Sequence, residues 1–306
     1  MTAKSDAALP ATPHATPTRP TTPRATSKRR RLKPSHYVGR GLAYLALLAA
    51  SVPVFLPFAW MAVSSLKRNN DVFTVPVKWI PDPVVWNNYV EIFAKADMVT
   101  WIRNTLLLSV VVTVLQVVTG SFAAYGFSKG KFPGRRLLFL LYIGTIAVPW
   151  QAYMIPQFIM FSKFHLANTL WSIIALQAFG AFGVFLMKQF FDTIPDALIE
   201  AARLDGLSDF GIYRRIMMPL SIPAVASLAL LMFTTTWNDY LGPLLYLRDP
   251  KIWTIQVGLQ SFVGQYNTEF GLIMTGAVLS VLPVAIIFAL GQRYFIEGVA
   301  TTGVKG

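Results

Sequence analysis

The sequence predicts an all-α polytopic membrane protein: six transmembrane helices with a charged helix–turn–helix loop on the cytoplasmic side. Three observations lead there. Apolar residues make up 54% of the chain and charged residues 13%, and the apolar residues gather in runs of about 20, enough to carry a helix across the hydrocarbon core. Lysine and arginine collect between alternate runs, as the positive-inside bias requires. One charged segment, residues 191–219, interrupts the apolar pattern with helix start and stop signals of its own.

Composition also excludes some chemistry. With no cysteine, disulfides, thiol catalysis and cysteine metal sites are unavailable. His14, His36 and His165 are too scattered to build a metal site. The net charge of +13 would suit nucleic acid, but the cations lie between the spans, so topology accounts for them and no nucleic-acid partner is expected.

Residues 1–40 form a tail rich in Thr, Pro, Ala and Ser that ends in Lys28-Arg29-Arg30-Arg31-Leu32-Lys33. Such a composition buries no core and is expected to be disordered. The bulky run after Arg40 has no clear cleavage site, so an uncleaved cytoplasmic tail is expected. Its basic cluster sets topology and touches anionic lipid headgroups. A six-span domain is expected over residues 41–306. Its first span covers 41–63, with Pro53 and Pro57 inside, which a membrane helix tolerates. Residues 67–100 are mixed and external, with Trp79, Trp86 and Trp101 suited to the membrane boundary. The second span covers 102–127 and ends in a basic turn, residues 128–136. The third covers 137–161, with kinks expected at Pro149 and Pro156. A polar link at 163–168 leads to the fourth span, 169–190. After the charged loop come the fifth span, 220–240, and the sixth, 271–295. With both termini in the cytoplasm, nineteen of the 27 Lys and Arg residues fall inside and eight outside; the inverse arrangement violates the bias.

In the charged loop, Pro195 and Asp196 suit a first helical turn. Glu200-Ala201-Ala202-Arg203-Leu204-Asp205 continues that helix, and Gly206 is placed to stop it in a left-handed conformation. Ser208 can cap a second helix with Asp209 in its first turn. Phe210, Tyr213 and Met217 then recur on one face, Arg214 and Arg215 lie near the C-terminal end, and Pro219 closes the helix. Ala201 and Ala202 leave room for another protein surface, so the loop reads as a docking plug. Glu200 is within reach of Arg203, one turn away, so an internal pair is the alternative to an external partner.

Polar residues inside the spans carry two readings. Thr113 and Gln116 lie one turn apart on the second span, Gln151 and Gln157 interrupt the third, and Gln177 sits in the fourth. Thr234 and Asn238 share a face of the fifth, as do Thr235 and Asp239. Neutral donors and acceptors can replace water around a hydroxyl-rich solute, or they can bond helix to helix. Asp239 falls near the outer end of its span and needs a partner or water. No Gly-x-x-x-x-Gly-Lys-Ser/Thr loop, His-Glu-x-x-His or Gly-x-Ser-x-Gly occurs, so ATP chemistry is not expected in this chain. An intramembrane hydrolase would need a buried nucleophile and base, and His165 in an external link does not supply one.

The Glu200-Ala201-Ala202 triplet, with Gly206 following and Ile216, Pro219 and Pro223 downstream, resembles the EAA loop of permease subunits in binding-protein-dependent ABC importers. Trp237-Asn238-Asp239-Tyr240 is similar to a sequence common in carbohydrate-type members. Gln292-Arg293-Tyr294-Phe295, Gly298 and the ending Gly303-Val304-Lys305-Gly306 resemble the C-terminus of the shorter, six-span maltose-type subunit. The resemblance covers 41–306; Leu207 stands where a small residue is common. It implies the type I importer permease fold, not an enzyme, with Glu200, Ala201, Ala202, Asp205, Gly206, Ile216 and Pro219 coupling to an ATPase. Implied partners are a second homologous permease, two ATPase protomers that hold ATP and Mg, and an external solute-binding protein. In that family the loop at 241–270 reaches the binding protein's sugar site, and the C-terminal tail reaches between the ATPases. The implied cargo is a carbohydrate, most simply an oligosaccharide, with a polyol or glycerol phosphate as the alternative. Gln116, Gln151, Gln177, Thr235, Asn238 and Asp239 are the expected path or mouth, and the expected location is the bacterial inner membrane.

Overall fold

A computed structural model describes the backbone of residues 34–264 and 268–303, and the side chains of residues 40–264 and 268–293. The Thr/Pro-rich tail up to Lys33 and the ending Val304-Lys305-Gly306 lie outside the described residues, as do the side chains of Tyr294 and Phe295. The helices are α1 (Pro34–Ser64), α2 (Asn88–Lys95), α3 (Met98–Lys129), α4 (Arg135–Gly144), α5 (Met154–Lys163), α6 (Leu170–Gln177), α7 (Ala181–Phe191), α8 (Asp196–Leu204), α9 (Asp209–Ile212), α10 (Met218–Leu220), α11 (Ile222–Trp237), α12 (Leu241–Tyr246), α13 (Ile255–Gln260) and α14 (Phe270–Gly303). Among the described residues the only β pairing is an isolated bridge between Val263 and Thr268.

The chain divides into a unit ending at Pro53 and a unit beginning at Val54. The first contains the start of α1, which opens on Pro34, ahead of the expected tail boundary, because proline's fixed φ and missing N–H suit a first helical turn. Its Leu45, Leu47 and Leu48 are exposed.

The second unit is organised around α3, which packs along α7 and α11; α11 packs in turn on α14. The α3–α7 crossing is close because a Cβ on Gly120 would lie only 3.3 Å from the backbone carbon of Gly183, the small-residue contact that lets membrane helices approach. Three cores form along this axis. One joins Ala124, Met187, Phe191 and Leu228 to residues of the charged loop. A second holds Leu108, Val112, Phe161 and Tyr246, and a third Ile92, Met98, Trp101 and Phe262. Val110, Val114 and Val118 of α3, Leu137 and Leu141 of α4, and Ile286 and Leu290 of α14 remain exposed; apolar surface on this scale belongs in lipid.

Among the described residues, three helices are long and apolar enough to span without interruption: Arg40–Ser64, Met98–Lys129 and Phe270–Arg293. Two bent pairs, α6 with α7 at 41° and Asp209–Leu220 with Ile222–Trp237 at 79°, are long and apolar enough only when each pair is taken together. The expected third span is not one helix: α4 and α5 are separated by two 3₁₀ turns, Thr145–Ala147 and Trp150–Ala152. The break falls at Val148-Pro149, where the residue before proline is extended. Pro156 makes no kink, because it sits in the first turn of α5, where its missing N–H costs nothing.

On the face opposite the charged loop, Asn168 ties two segments. Its backbone N–H donates to Tyr246 O at 2.8 Å, and its Oδ1 accepts from the N–H groups of Arg248 and Asp249 at 2.8 and 2.9 Å. Its φ of 59° is one that asparagine tolerates better than most residues.

Candidate functional site

The charged loop hangs from the C-terminal end of α3. Lys129 Nζ donates to Ile194 O at 2.7 Å and to Asp196 Oδ1 at 2.6 Å. The lysine side chain is 6% exposed and the aspartate 78%, so the cation is the sheltered partner. Lys129's hydrogen bond and charge hold the Asp196 carboxyl below its ordinary range, with Lys131 and Arg135 adding to the effect. One residue earlier, Ser128 Oγ donates to Asp192 Oδ1 at 2.7 Å. Lys188 at the end of α7 meets Asp192 Oδ2 at 2.6 Å.

The turn between α8 and α9 is a Schellman motif. Gly206 has φ 82°; Leu207 N donates to Ala202 O and Gly206 N to Arg203 O, each at 3.0 Å. Leu207 packs on the core that contains Ala202, and an apolar residue at this position is what the motif favours. Ser208 Oγ accepts from Gly211 N at 3.2 Å, capping α9. The helical path then runs through a π turn, Tyr213–Met217, into α10. That helix ends at Leu220, one residue past Pro219, where the proline was expected to close it. Proline removes one donor from the ladder, the wide turn just before it adjusts the register, and the chain turns at Ser221. Tyr213 fastens this half to α3: its OH lies 2.8 Å from Ser121 Oγ, and its ring stacks on Phe122 with centroids 4.4 Å apart.

These ties give the loop an anchored face and a free one. Ile199, Ala202, Ile212 and Met217 are buried in the α3–α7–α11 core, and Ile216 is half-buried. Glu200, Ala201, Asp205, Gly206 and Pro219 are exposed, and Leu204 is 90% exposed. The internal Glu200–Arg203 pair does not form. Arg203 Nη2 bonds Asp209 Oδ1 at 3.0 Å instead, because the left-handed turn brings the start of α9 back beside the end of α8. Among the described residues Glu200 makes no hydrogen bond or salt bridge, and only the charge of nearby Arg203 acts on it.

The polar residues inside the bundle form a chain centred on Gln177. Gln116 Nε2 donates to Gln177 O at 2.7 Å and Thr119 Oγ1 to Ala178 O at 3.0 Å, satisfying carbonyls freed where α6 stops. Gly180 leaves room for the amide at this break: a Cβ there would lie 2.7 Å from the Gln116 amide, which would have to shift. Gln177 Nε2 donates to Asp239 Oδ2 at 2.6 Å, and its Oε1 accepts from Thr236 Oγ1 at 2.9 Å. Asp239 Oδ1 also accepts from Gly242 N at 3.2 Å. Thr235 and Asp239 do not share a face, since α11 ends at Trp237 and the backbone turns before Asp239. Thr235 is exposed and bonds Leu231 O. Asn238 bonds Thr234 O and accepts from Gln256 at 3.4 Å. Gln151 lies exposed in a 3₁₀ turn, away from this chain of contacts. Thr113 Oγ1 and Gln116 Oε1 are buried without a hydrogen-bond partner.

A family profile described as "Binding-protein-dependent transport system inner membrane component" matches residues 116–301, more than half of the chain. The chain belongs to this family. It is a membrane-embedded transporter component, and the permease is 31% identical over 269 residues to the arabinooligosaccharides transport system permease protein AraQ of Halalkalibacterium halodurans, covering 87% of this chain and 95% of that one. It is 32% identical over 272 residues to the osmoprotective compounds uptake permease protein GgtD of Synechocystis, covering 86% and 91%. Its fold matches a chain from the crystal structure of a bacterial ABC transporter involved in the import of the acidic polysaccharide alginate, with TM-score 0.74, 23% identity and coverage of 86% and 99%. Sequence reasoning did not foresee Lys129, Ser128, Asp192 and Tyr213 as the permease's loop anchors, or Thr236 in its polar chain. The basic turn containing Lys129 had been read for topology alone, and no local signal pairs it with a carboxylate 67 residues away.

Proposed function

We propose that this permease is one of two homologous membrane subunits of a bacterial importer for carbohydrate, most simply an oligosaccharide, in the cytoplasmic membrane. It spans the membrane six times, counting the broken α4–α5 segment, with both termini in the cytoplasm. Two ATPase protomers holding ATP and Mg drive it, and an external binding protein delivers solute. One observation carries the coupling role: the loop from α8 to α10 is anchored on one face while the other presents unpaired Glu200 beside Ala201 and the almost fully exposed Leu204. An unpaired carboxylate next to bare apolar surface suits a protein cleft. When the ATPases close around it, α8 moves, and Lys129 and Tyr213 pass that movement to α3. The spans then rock between outward and inward access as rigid bodies.

The carbohydrate reading is supported by the names of the arabinooligosaccharide and alginate systems. The cyanobacterial relative named for osmoprotective compounds favours a small polar solute as the second reading. Gln177 and Asp239 serve the bundle through their interhelical bonds, whereas buried Thr113 Oγ1 and Gln116 Oε1 retain hydrogen-bonding capacity for solute or water. The test is Glu200→Ala in the purified complex, read by co-purification of the ATPase and by binding-protein-stimulated hydrolysis. Truncating one partner of a buried interface pair costs about 2–5 kcal/mol, so both should fall sharply. Wild-type values in both assays would remove the coupling role, and uptake across a panel of labelled sugars and polyols separates the two solute readings.

A further inference from the structure

Beside the loop, at the inner end of the bundle, lies a cavity of about 330 Å³ lined by Phe127, Arg135, Arg136, Phe139, Leu140 and Lys188. Three of the six lining side chains are cations and none is a carboxylate. Arg136 has no hydrogen bond or ion pair among the described residues. Arg135 uses Nη1 on Ser128 O and Gly130 O, at 3.1 and 2.6 Å. Lys188 Nζ sits 4.8 Å from the Phe139 ring centre and bonds Asp192, whose other oxygen is held by Ser128. The cavity therefore keeps an excess of positive charge after its neighbours are counted. The first turn of α4 adds to it: Arg135 and Arg136 stand there with no acidic residue, at the helix end that already carries partial positive charge.

We propose that this cavity binds the headgroup of an anionic membrane phospholipid. Its phosphodiester would sit between Arg135, Arg136 and Lys188, with its first acyl carbons along Phe139 and Leu140. Position decides for a lipid over a soluble anion. Directly beyond the arginines, α4 exposes Leu137, Leu138, Leu140 and Leu141, so the cations stand where a hydrocarbon-facing helix begins, the depth of the phosphate layer. Basic pockets between helices on the inner side of a membrane are suited to such headgroups. The surface that lines the cavity is mostly apolar, which a free phosphate does not need and lipid chain carbons do. The site lies next to the loop anchors, because Lys188 and Ser128 share Asp192. It stands or falls independently of which solute the permease carries.

The experiment is native mass spectrometry of the full-length permease with its co-purifying subunits, released from mixed phosphatidylcholine–phosphatidylglycerol nanodiscs. The wild type should retain phosphatidylglycerol in preference to phosphatidylcholine. Arg136→Gln should weaken that retention about fivefold, the value of one cation near a membrane surface, and Arg136→Lys should keep it. Arg136 bonds to nothing among the described residues, so its replacement should not disturb folding; an unchanged melting temperature in neutral detergent checks this. Equal retention of both lipids, or of phosphatidylglycerol by wild type and Arg136→Gln, would overturn the proposal. So would displacement of phosphatidylglycerol by millimolar inorganic phosphate, which would make the cavity a soluble-anion site.

Discussion

Gly206→Val isolates the turn of the charged loop from everything around it. A Cβ at position 206 meets no atom within 4 Å, so the substitution produces no clash. Its whole cost comes from the backbone, because φ of 82° puts the side chain against its own carbonyl. For an L-residue that penalty is about 1–2 kcal/mol, and β-branching places valine at the upper end. This corresponds to roughly 5–30-fold in the population of the native turn. The two Schellman bonds and the seating of Leu207 are lost together, and Arg203 and Asp209 separate. Gly206→Asn is the matched control, since asparagine visits the left-handed region with far less strain. Hydrogen exchange at Leu207 should accelerate 5–30-fold in the valine variant and much less in the asparagine variant, with other α3 and α11 amides unchanged. ATPase co-purification should follow the same order. Equal behaviour of the valine and asparagine variants would refute the backbone argument, and wild-type coupling in both would detach the turn from docking.

Four further outcomes follow from the same geometry. Lys129→Met strands Ile194 O and frees Asp196, a loss of about 1–3 kcal/mol for an unsatisfied buried acceptor; the loop should become protease-sensitive while membrane insertion is unchanged, and Lys129→Arg should restore much of the protection. The Lys129 partner lowers the Asp196 carboxyl, so its stabilisation is complete above the unfolded carboxyl value of about 3.9 and is lost as pH falls through the lower folded value. Melting curves should therefore show Asp196→Asn less stable than wild type at neutral pH, with the difference vanishing only in strong acid; a difference that vanishes above pH 5 contradicts the sign. Gln177→Leu removes the side-chain partner of Asp239 and the Gln177 partner of Thr236, and a melting temperature equal to wild type would show that this polar chain does not hold α6 to α11. Topology reporters at Lys131 and Gly206 should read cytoplasmic and those at Asp82 and Gly264 external; a cytoplasmic signal at Gly264 ends the six-span reading.

What the sequence made legible is chemistry confined to a few neighbouring residues. Asp196 opens α8, with Pro195 extended just before the first turn rather than in it, Gly206 ends it and Ser208 caps α9. Each signal acts over three or four residues of chain, so no tertiary knowledge is needed to read it. Anchors across the bundle escaped for the opposite reason. Lys129 and Asp196 are 67 positions apart and Gln177 and Asp239 62, and nothing in either neighbourhood names the other. Position 219 shows the intermediate case: the proline signals that the helix ends nearby, as it does at Leu220, but the π turn at Tyr213–Met217 before it depends on what packs around it.

Broken spans were hidden by the same apolar composition that revealed the membrane. Residues 169–190 form one continuous greasy run, yet the helix stops at Gln177 and restarts at Ala181. In hydrocarbon, a broken helix must find other partners for the backbone groups it frees. The sequence did contain that accounting, distributed over two helices: Gln116 and Thr119 on α3 supply donors to the carbonyls of Gln177 and Ala178, and Gly180 keeps the approach open. Read singly, a glutamine in a span suggests a solute path. Read with a glycine at a break in a neighbouring span, the same glutamine is a backbone donor first. The α4–α5 break has a different source. There Pro149 removes a donor itself and keeps the preceding residue extended, so a continuous helix through residues 137–161 was unavailable from the start.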